Sequence, residues 1–198
     1  ASQILQRPVH FPGLGSRDAE HFAEFARERV FGQSRMIGEV QRALEVHEQM
    51  RAPDSRKPLT LLLAGPSGSG KTELAKTLAE FLGLSDDPIE IDMTQYGNDH
   101  KLPNLVGGGR TYVGFEEGKG GTGELGQAIL DNPNGVIILN EIEKAHPNIF
   151  KSLMEIFDTG KMTAGNGMKI DASGIHFVMT SNAGDRYYNP NKEPNTFR

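Results

Sequence analysis

The residues with the clearest chemistry form one glycine-rich run, GPSGSGKT, at positions 65–72. It satisfies the pattern G-x-x-x-x-G-K-[ST] at Gly65, Gly70, Lys71 and Thr72. Glycines in such a run let successive backbone N–H groups turn toward an anion, and a following helix adds the partial positive charge of its N-terminus. The lysine suits the β- and γ-phosphates of a nucleotide, and the threonine hydroxyl suits Mg²⁺. The run therefore predicts a phosphate site, with a simple strand-to-helix turn as the alternative.

A second polar pair follows an apolar run in GVIILNEIEKAH, residues 135–146, where the run ends in Asn140 and Glu141. In nucleotide hydrolases with this pattern, the first position is usually an aspartate of the Mg²⁺ shell. The second is a glutamate that orients and deprotonates the attacking water. Glu141 retains that second role, with a solvated glutamate at a helix start as the alternative. Asn140 has the shape of aspartate without its charge.

The missing charge at Asn140 has a predicted cost. At an effective dielectric constant of about 20, the attraction between a carboxylate and a divalent cation amounts to several kcal/mol before desolvation is subtracted. We therefore expect weaker coupling of Mg²⁺ to the site and slower hydrolysis, while the glycine-rich run keeps most of the nucleotide affinity. Thr72 and Asn140 are the predicted metal ligands.

The elements that must position these residues alternate along the chain. Short apolar strands are predicted at 59–64, from Ile89, at 136–139 and at 174–180, and a hairpin is predicted at 160–171. Helical spacing of apolar residues is found between them, at 16–30, 34–51, 71–84, 123–130 and 147–158, whereas residues 97–121 have the composition of a loop. Continuous apolar strands alternating with helices are typical of a parallel sheet covered on both faces. The sequence predicts an α/β three-layer fold with a parallel central sheet.

Composition narrows the class of protein. A chain of 198 residues fits one domain, which we place at 16–184 between an irregular arm at 1–15 and a polar tail at 185–198. The net charge of −5 argues against nucleic-acid or anionic-membrane partners. There is no cysteine, hence no disulfide or thiolate metal site. The apolar runs are too short to span a bilayer, so we expect neither a nucleic acid nor a membrane as partner.

Six segments together make the sequence resemble the Clp family of AAA+ protein unfoldases, most closely the second ATPase module of ClpB-type disaggregases. They are VFGQ at 30–33, GPSGSGKTELAKTLAEFL at 65–82, IDMTQY at 91–96, TYVGFEEG at 111–118, NEIEKAHPNIFKSLMEIFDTGKMT at 140–163 and VMTSNAG at 178–184. The resemblance implies the large subdomain of a P-loop NTPase with ATP and Mg²⁺ as cofactors. The implied ATP-binding residues are Val30, Phe31, Gly65, Pro66, Ser67, Gly68, Ser69, Gly70, Lys71 and Thr72.

The resemblance also implies roles outside the phosphate site. Tyr112 and Val113 match a loop that grips polypeptide in the central pore of a hexameric ring, although Thr111 stands where the family usually has glycine. The 160–171 hairpin matches a second pore-facing loop. Asn182 matches the residue called sensor 1, whose amide helps to place the attacking water. The alternatives are that Tyr112 packs on its own domain, that Asn182 is a strand-end turn residue, and that Val30 and Phe31 are ordinary core.

The family pattern continues beyond these matches with a helical lid and an arginine finger. We expect this chain to lack the lid, and neither Arg186 nor Arg198 lies in a convincing finger motif. The chain alone is therefore expected to be monomeric and nearly inactive. In the complete protein the resemblance implies a homo-hexamer in the cytoplasm or an organelle matrix, acting on unfolded or aggregated proteins.

Three other hypotheses remain at this point. A catalytically silent ATP-binding assembly module is favoured by Asn140 but opposed by the retention of Glu141 and Asn182. A DNA-directed motor or clamp loader fits the phosphate motif but fits neither TYVGFEEG nor the acidic charge. A phosphotransferase lacks a recognisable acceptor site.

Overall fold

The computed structural model describes residues 19–50, 57–83, 88–108 and 121–183. The predicted arm at 1–15, the pore-loop residues Tyr112 and Val113, and the tail at 185–198 lie outside the described residues.

The fold is built on a four-stranded parallel sheet. The strands are β1 (Thr60–Ala64), β2 (Ile89–Asp92), β3 (Gly135–Asn140), β4 (Lys161–Thr163), β5 (Lys169–Asp171) and β6 (Ile175–Ser181). The sheet has the order β1-β6-β3-β2, and β4 pairs with β5 as a separate antiparallel hairpin. The helices are α1 (Phe22–Arg27), α2 (Ser34–Met50), α3 (Lys71–Leu82), α4 (Leu102–Val106), α5 (Gly123–Asp131) and α6 (Pro147–Thr159). The predicted α/β fold with a parallel central sheet is confirmed.

Two hydrophobic cores cover the two faces of this sheet. Side chains alternate along a strand, so Val136 and Ile138 of β3 point into the core shared with α1, α2 and α3. Ile137 and Leu139 point into the opposite core, which α5, α6 and the hairpin complete. This arrangement gives the three layers predicted from the continuous apolar strands.

The ends of the helices follow from the local sequence. Pro147 occupies the first turn of α6, where its missing N–H is not needed, and the His146 ring accepts a hydrogen bond from the Asn148 N–H at 3.3 Å. Gly160, with φ of 66°, ends that helix. The prediction of a long first helix was wrong, because a 3₁₀ turn at Ala19–His21 precedes α1, which ends at Arg27.

Two further predictions need correction. Residues 97–121 were expected to be a loop, but α4 forms there with Pro103 in its first turn. The helical spacing predicted at 34–51 included Met50 among its apolar positions, yet Met50 is the last residue of α2 and is 77% exposed. Ile37, Val40 and Leu44 do form the buried side of α2.

The carboxyl ends of the strands meet at one edge of the sheet. The register pairs Ala64 with Ser181 and Asp92 with Asn140. In open parallel sheets this edge is where ligands bind. The glycine-rich run begins directly after β1, Asn140 and Glu141 lie at the end of β3, and Asn182 follows β6. Among the described residues, no helix has the length and apolar character needed to cross a membrane.

Candidate functional site

A cavity of about 520 Å³ lies at this edge of the sheet and collects most of the predicted site residues. The glycine-rich run contributes Ser67, Gly68, Gly70, Lys71 and Thr72. The ends of β3 and β6 contribute Asn140, Glu141 and Asn182. These groups are far apart in sequence, so their convergence depends on the sheet.

The glycine-rich run adopts the backbone that its composition predicts. Gly68 and Gly70 have φ of 75° and 77°, values that side chains with a Cβ rarely adopt. Gly70 is the N-cap of α3, so the first N–H groups of that helix face the run. The Ser69 hydroxyl is buried and has no hydrogen-bond partner among the described protein atoms. The positive-φ glycines and the start of α3 together form a cradle that suits a bound phosphate chain.

Lys71 is held inside the cradle by three oxygen atoms. The residue is only 7% exposed. Its Nζ donates to the carbonyl oxygens of Gly65 at 2.9 Å and Pro66 at 2.8 Å, and to Asn182 Oδ1 at 2.9 Å. An ammonium group has three donors, which matches these three acceptors. The third contact joins the glycine-rich run to the end of β6.

Oxygen atoms suited to Mg²⁺ meet next to this lysine. Asn140 Oδ1 accepts hydrogen bonds from the hydroxyls of Thr72 at 3.3 Å and Thr180 at 3.0 Å. Hydroxyl and amide oxygens are hard ligands of the kind that Mg²⁺ prefers. The two predicted metal ligands, Thr72 and Asn140, are therefore in direct contact.

Glu141 has an unusual backbone. Its φ of 55° is the only positive φ at a non-glycine position among the described residues. Its N–H donates to the Thr180 hydroxyl at 3.2 Å, and the residue lines the cavity. Such strained positions cost roughly 1–3 kcal/mol and cluster at functional sites. Strand β3 ends at Asn140, and the left-handed backbone of Glu141 follows it at the wall of the cavity.

Asn182 is fixed from its other side by Glu143, whose Oε1 accepts a hydrogen bond from the Asn182 N–H at 3.0 Å. Burial acts to raise the pKa of Glu143. Hydrogen bonds from its own backbone N–H, the Ser181 side chain and the Asn182 N–H act in the opposite direction. The charge of Lys144 adds to them, and the pKa of Glu143 is lowered overall. Glu143 therefore stays a carboxylate that holds the end of β6.

The two residues predicted for an adenine pocket have different environments. Val30 is buried, and its Cγ1 would lie 3.5 Å from a Cβ added at Gly70, so it packs behind the glycine-rich run. Phe31 is 82% exposed and does not line the phosphate cavity. Thr111, Tyr112, Val113, Arg186 and Arg198 lie outside the described residues.

Two contributors were missed by the sequence analysis. Thr180 contacts both Asn140 and Glu141, and the signal was a buried polar residue inside the apolar strand β6. Glu90 accepts a hydrogen bond from Asn140 Nδ2 at 2.9 Å. Its signal was weaker, because an acidic residue at an alternate position of a short strand usually faces solvent.

Comparison with known proteins gives the family. The model of the AAA domain (Cdc48 subfamily) matches residues 56–196. "Chaperone protein ClpB" of Streptomyces albus G is 42% identical over 168 residues, which cover 83% of this chain and 19% of that protein. The protein of the same name from Vibrio vulnificus (strain YJ016) is 39% identical over 190 residues, covering 92% of this chain and 22% of that protein.

This chain therefore spans about a fifth of the length of these relatives. The family match extends over more than half of the chain and includes both the glycine-rich run and the ends of β3 and β6. The predictions of a P-loop NTPase fold and of the AAA+ ATPase class are confirmed by these matches. The chain belongs to the AAA domain family (Cdc48 subfamily), as an AAA+ ATPase module similar to those of ClpB chaperones.

Proposed function

We propose that this module binds ATP with Mg²⁺ and hydrolyses it to drive a ring-forming protein unfoldase or disaggregase. The observation that carries the proposal is the convergence of Lys71, Thr72, Asn140, Glu141 and Asn182 on one cavity at the carboxyl ends of the strands. Phosphoryl transfer to water requires a cation that binds the phosphates, oxygen ligands for Mg²⁺, and groups that activate and orient the water. This set of side chains supplies all of them.

In this proposal each side chain has one task. The Lys71 ammonium exchanges some of its three protein acceptors for phosphate oxygens when nucleotide enters. Thr72 and Asn140 hold Mg²⁺, which supplies neutralising charge to the phosphates when it is bound. Glu141 accepts a proton from the attacking water. The Asn182 amide lies beside Lys71, where it orients that water toward the γ-phosphate.

The absence of a carboxylate at position 140 sets the expected rate. Asn140 presents an oxygen next to Thr72, so nucleotide and Mg²⁺ are bound, but without the added attraction of a negative charge. We propose slow hydrolysis rather than none. A catalytically silent assembly module is the second candidate, and the same substitution favours it.

For the complete protein we propose a homo-hexamer in the cytoplasm or an organelle matrix. Its substrates are unfolded or aggregated proteins, drawn through a central pore by Tyr112 and Val113. The support is the identity to proteins named "Chaperone protein ClpB" over most of this chain, together with the TYVGFEEG segment. A flat aromatic side chain suits this task because it contacts many sequences without specificity.

Two matched variants of the complete protein test the proposal. Glu141→Gln is expected to bind ATP and Mg²⁺ as before while steady-state hydrolysis falls by at least about 100-fold, as for loss of a general base. Tyr112→Ala is expected to hydrolyse ATP at an unchanged rate while unfolding of a fluorescent substrate protein stops. Phe115→Ala, a second aromatic change in the same loop, controls for general disturbance.

Three results would contradict parts of this proposal. No hydrolysis by the unaltered protein, with ATP still bound, would make the silent module correct. Equal hydrolysis by Glu141→Gln would remove Glu141 as the base. Continued substrate unfolding by Tyr112→Ala would remove the pore-loop assignment.

A further inference from the structure

The amide of Asn140 is held on both of its ends. Its Oδ1 accepts hydrogen bonds from Thr72 and Thr180, at 3.3 Å and 3.0 Å, and its Nδ2 donates to Glu90 Oε2 at 2.9 Å. The other oxygen of the same carboxylate, Glu90 Oε1, lies 2.7 Å from Lys76 Nζ. One oxygen of the Glu90 carboxylate thus pairs with the Lys76 ammonium, and the other accepts the hydrogen bond from the Asn140 amide.

Sheet register and helix periodicity explain this contact. Asn140 pairs with Asp92 and Ile138 pairs with Glu90, so Glu90 and Asn140 are diagonal neighbours on one face of the sheet. Thr72 and Lys76 are four residues apart on α3 and therefore share a helix face. Thr72 contacts Asn140 and Lys76 contacts Glu90 across the same boundary between helix and sheet.

Hydrogen-bonding chemistry fixes which way the amide points. An ionised carboxylate only accepts hydrogen bonds, whereas a hydroxyl both donates and accepts. With Glu90 on one side, the NH₂ end of Asn140 must face Glu90, and the carbonyl end must face Thr72. Without Glu90, the two hydroxyls would accept either orientation, and a flipped amide would turn two N–H donors toward the Mg²⁺ ligand position.

We infer that Glu90 is a positioning residue that holds the Asn140 carbonyl toward Thr72. The carboxylate of Glu90 favours asparagine over aspartate at position 140. This inference rests on the proposed function, because it assigns Glu90 to the Mg²⁺ site of that ATPase. Aspartate at 140 would place a carboxylate oxygen about 3 Å from Glu90, where like charges repel. The departure from the family pattern is thus one half of a pair, the other half being Glu90.

The first test is a double-mutant cycle on the chain without nucleotide or metal. Asn140→Asp is expected to lower the thermal midpoint by at least about 3 °C, because it opposes two carboxylates. Adding Glu90→Gln is expected to recover most of the lost thermal midpoint. The double variant again has a carboxylate–amide pair, with the carboxylate at position 140 and the amide at position 90. Equal effects of Asn140→Asp with and without Glu90→Gln would overturn the pairing.

The second test measures Mg²⁺ coupling directly. A non-hydrolysable ATP analogue is bound with Mg²⁺ and again with EDTA, and the ratio of the two affinities is compared among variants. Glu90→Ala is expected to lower this ratio by about tenfold, the scale of one charged hydrogen bond, and to leave binding in EDTA unchanged. Glu90→Gln can still accept from Asn140 Nδ2, so it is expected to retain part of the ratio.

Glu80→Gln is the matched control, because Glu80 is also paired with a cation, Arg29, but lies away from the cavity. It removes one negative charge and one ion pair, and the ratio is expected to stay unchanged. An equal loss in Glu80→Gln and Glu90→Ala, or an unchanged ratio in Glu90→Ala, would overturn the inference. Failure of the unaltered chain to bind the analogue in either buffer would instead overturn the proposed function itself.

Discussion

The two halves of the cavity are built in different ways. The phosphate half is one contiguous run, residues 65–72, whose backbone and lysine make the cradle. The metal-and-water half is assembled from residues of β2, β3 and β6. Thr72 is hydrogen-bonded to Asn140, 68 positions away in sequence, and Lys71 to Asn182, 111 positions away. The local sequence of a contiguous run sets its backbone geometry, whereas the geometry of the assembled half depends on sheet register and on each neighbouring side chain.

This difference explains where the chain departs from the family pattern. The phosphate half keeps every residue of its motif. In the assembled half, Asn140 replaces the usual aspartate and Glu90 lies beside it. Contacts between side chains on adjacent strands can change as a pair, because neither residue determines the backbone of the other. Backbone cradles do not offer that freedom.

Lys71→Ala should break the phosphate half and have the largest effect. It removes the cation and three charge-assisted hydrogen bonds, so we expect the affinity for an ATP analogue to fall about 100-fold, in EDTA and in Mg²⁺ alike. Isothermal titration in both buffers measures this. Lys151→Ala, an exposed lysine on α6, serves as the control. A loss confined to the Mg²⁺ buffer would mean that Lys71 acts through the metal rather than on phosphate.

Thr180→Val should disturb the assembled half alone. The buried hydroxyl donates to Asn140 Oδ1 and accepts from the Glu141 N–H. Its loss leaves the part-buried Glu141 N–H without this acceptor, at a cost of about 1 kcal/mol in the free energy of unfolding. Denaturant unfolding measures that cost. Hydrolysis should fall while analogue binding in EDTA stays the same. Thr180→Ser keeps the hydroxyl and should behave as the unaltered chain; if it does not, the methyl group is what matters.

Glu143→Gln should have the smallest effect and depend on pH. The folded pKa of Glu143 is lowered, so its carboxylate stabilises the fold above the unfolded pKa, about 4.3. That contribution is lost as the pH falls through the folded value. We expect the unaltered chain to be slightly more stable than Glu143→Gln at pH 7, and the difference to shrink below about pH 4. Thermal unfolding across pH 3–7 measures it, and a difference that grows on acidification would contradict the role of Glu143 at the end of β6.

Much of the fold followed from pattern. Continuous apolar strands between amphipathic helices predicted the parallel sheet, and β1, β2, β3 and β6 all form where expected. The hairpin at 160–171 also forms, with Gly167 supplying the positive φ of its turn. The errors were local. The helix predicted from Ser16 is shorter among the described residues because a 3₁₀ turn precedes it. Helix α4 lies inside a segment predicted to be a loop, with Pro103 tolerated in its first turn.

The sequence by itself determined the phosphate cradle, because glycine spacing, a lysine and a helix start act within one turn of backbone. It also named Asn140 and Glu141 from their place at the end of an apolar run, and Asn182 through the family resemblance. Only the tertiary structure decided which neighbours these residues meet. Thr180 and Glu90 join the site because parallel strands align their carboxyl ends in one register. Such contacts between distant segments are set by which strands pair, and no local pattern encodes that choice.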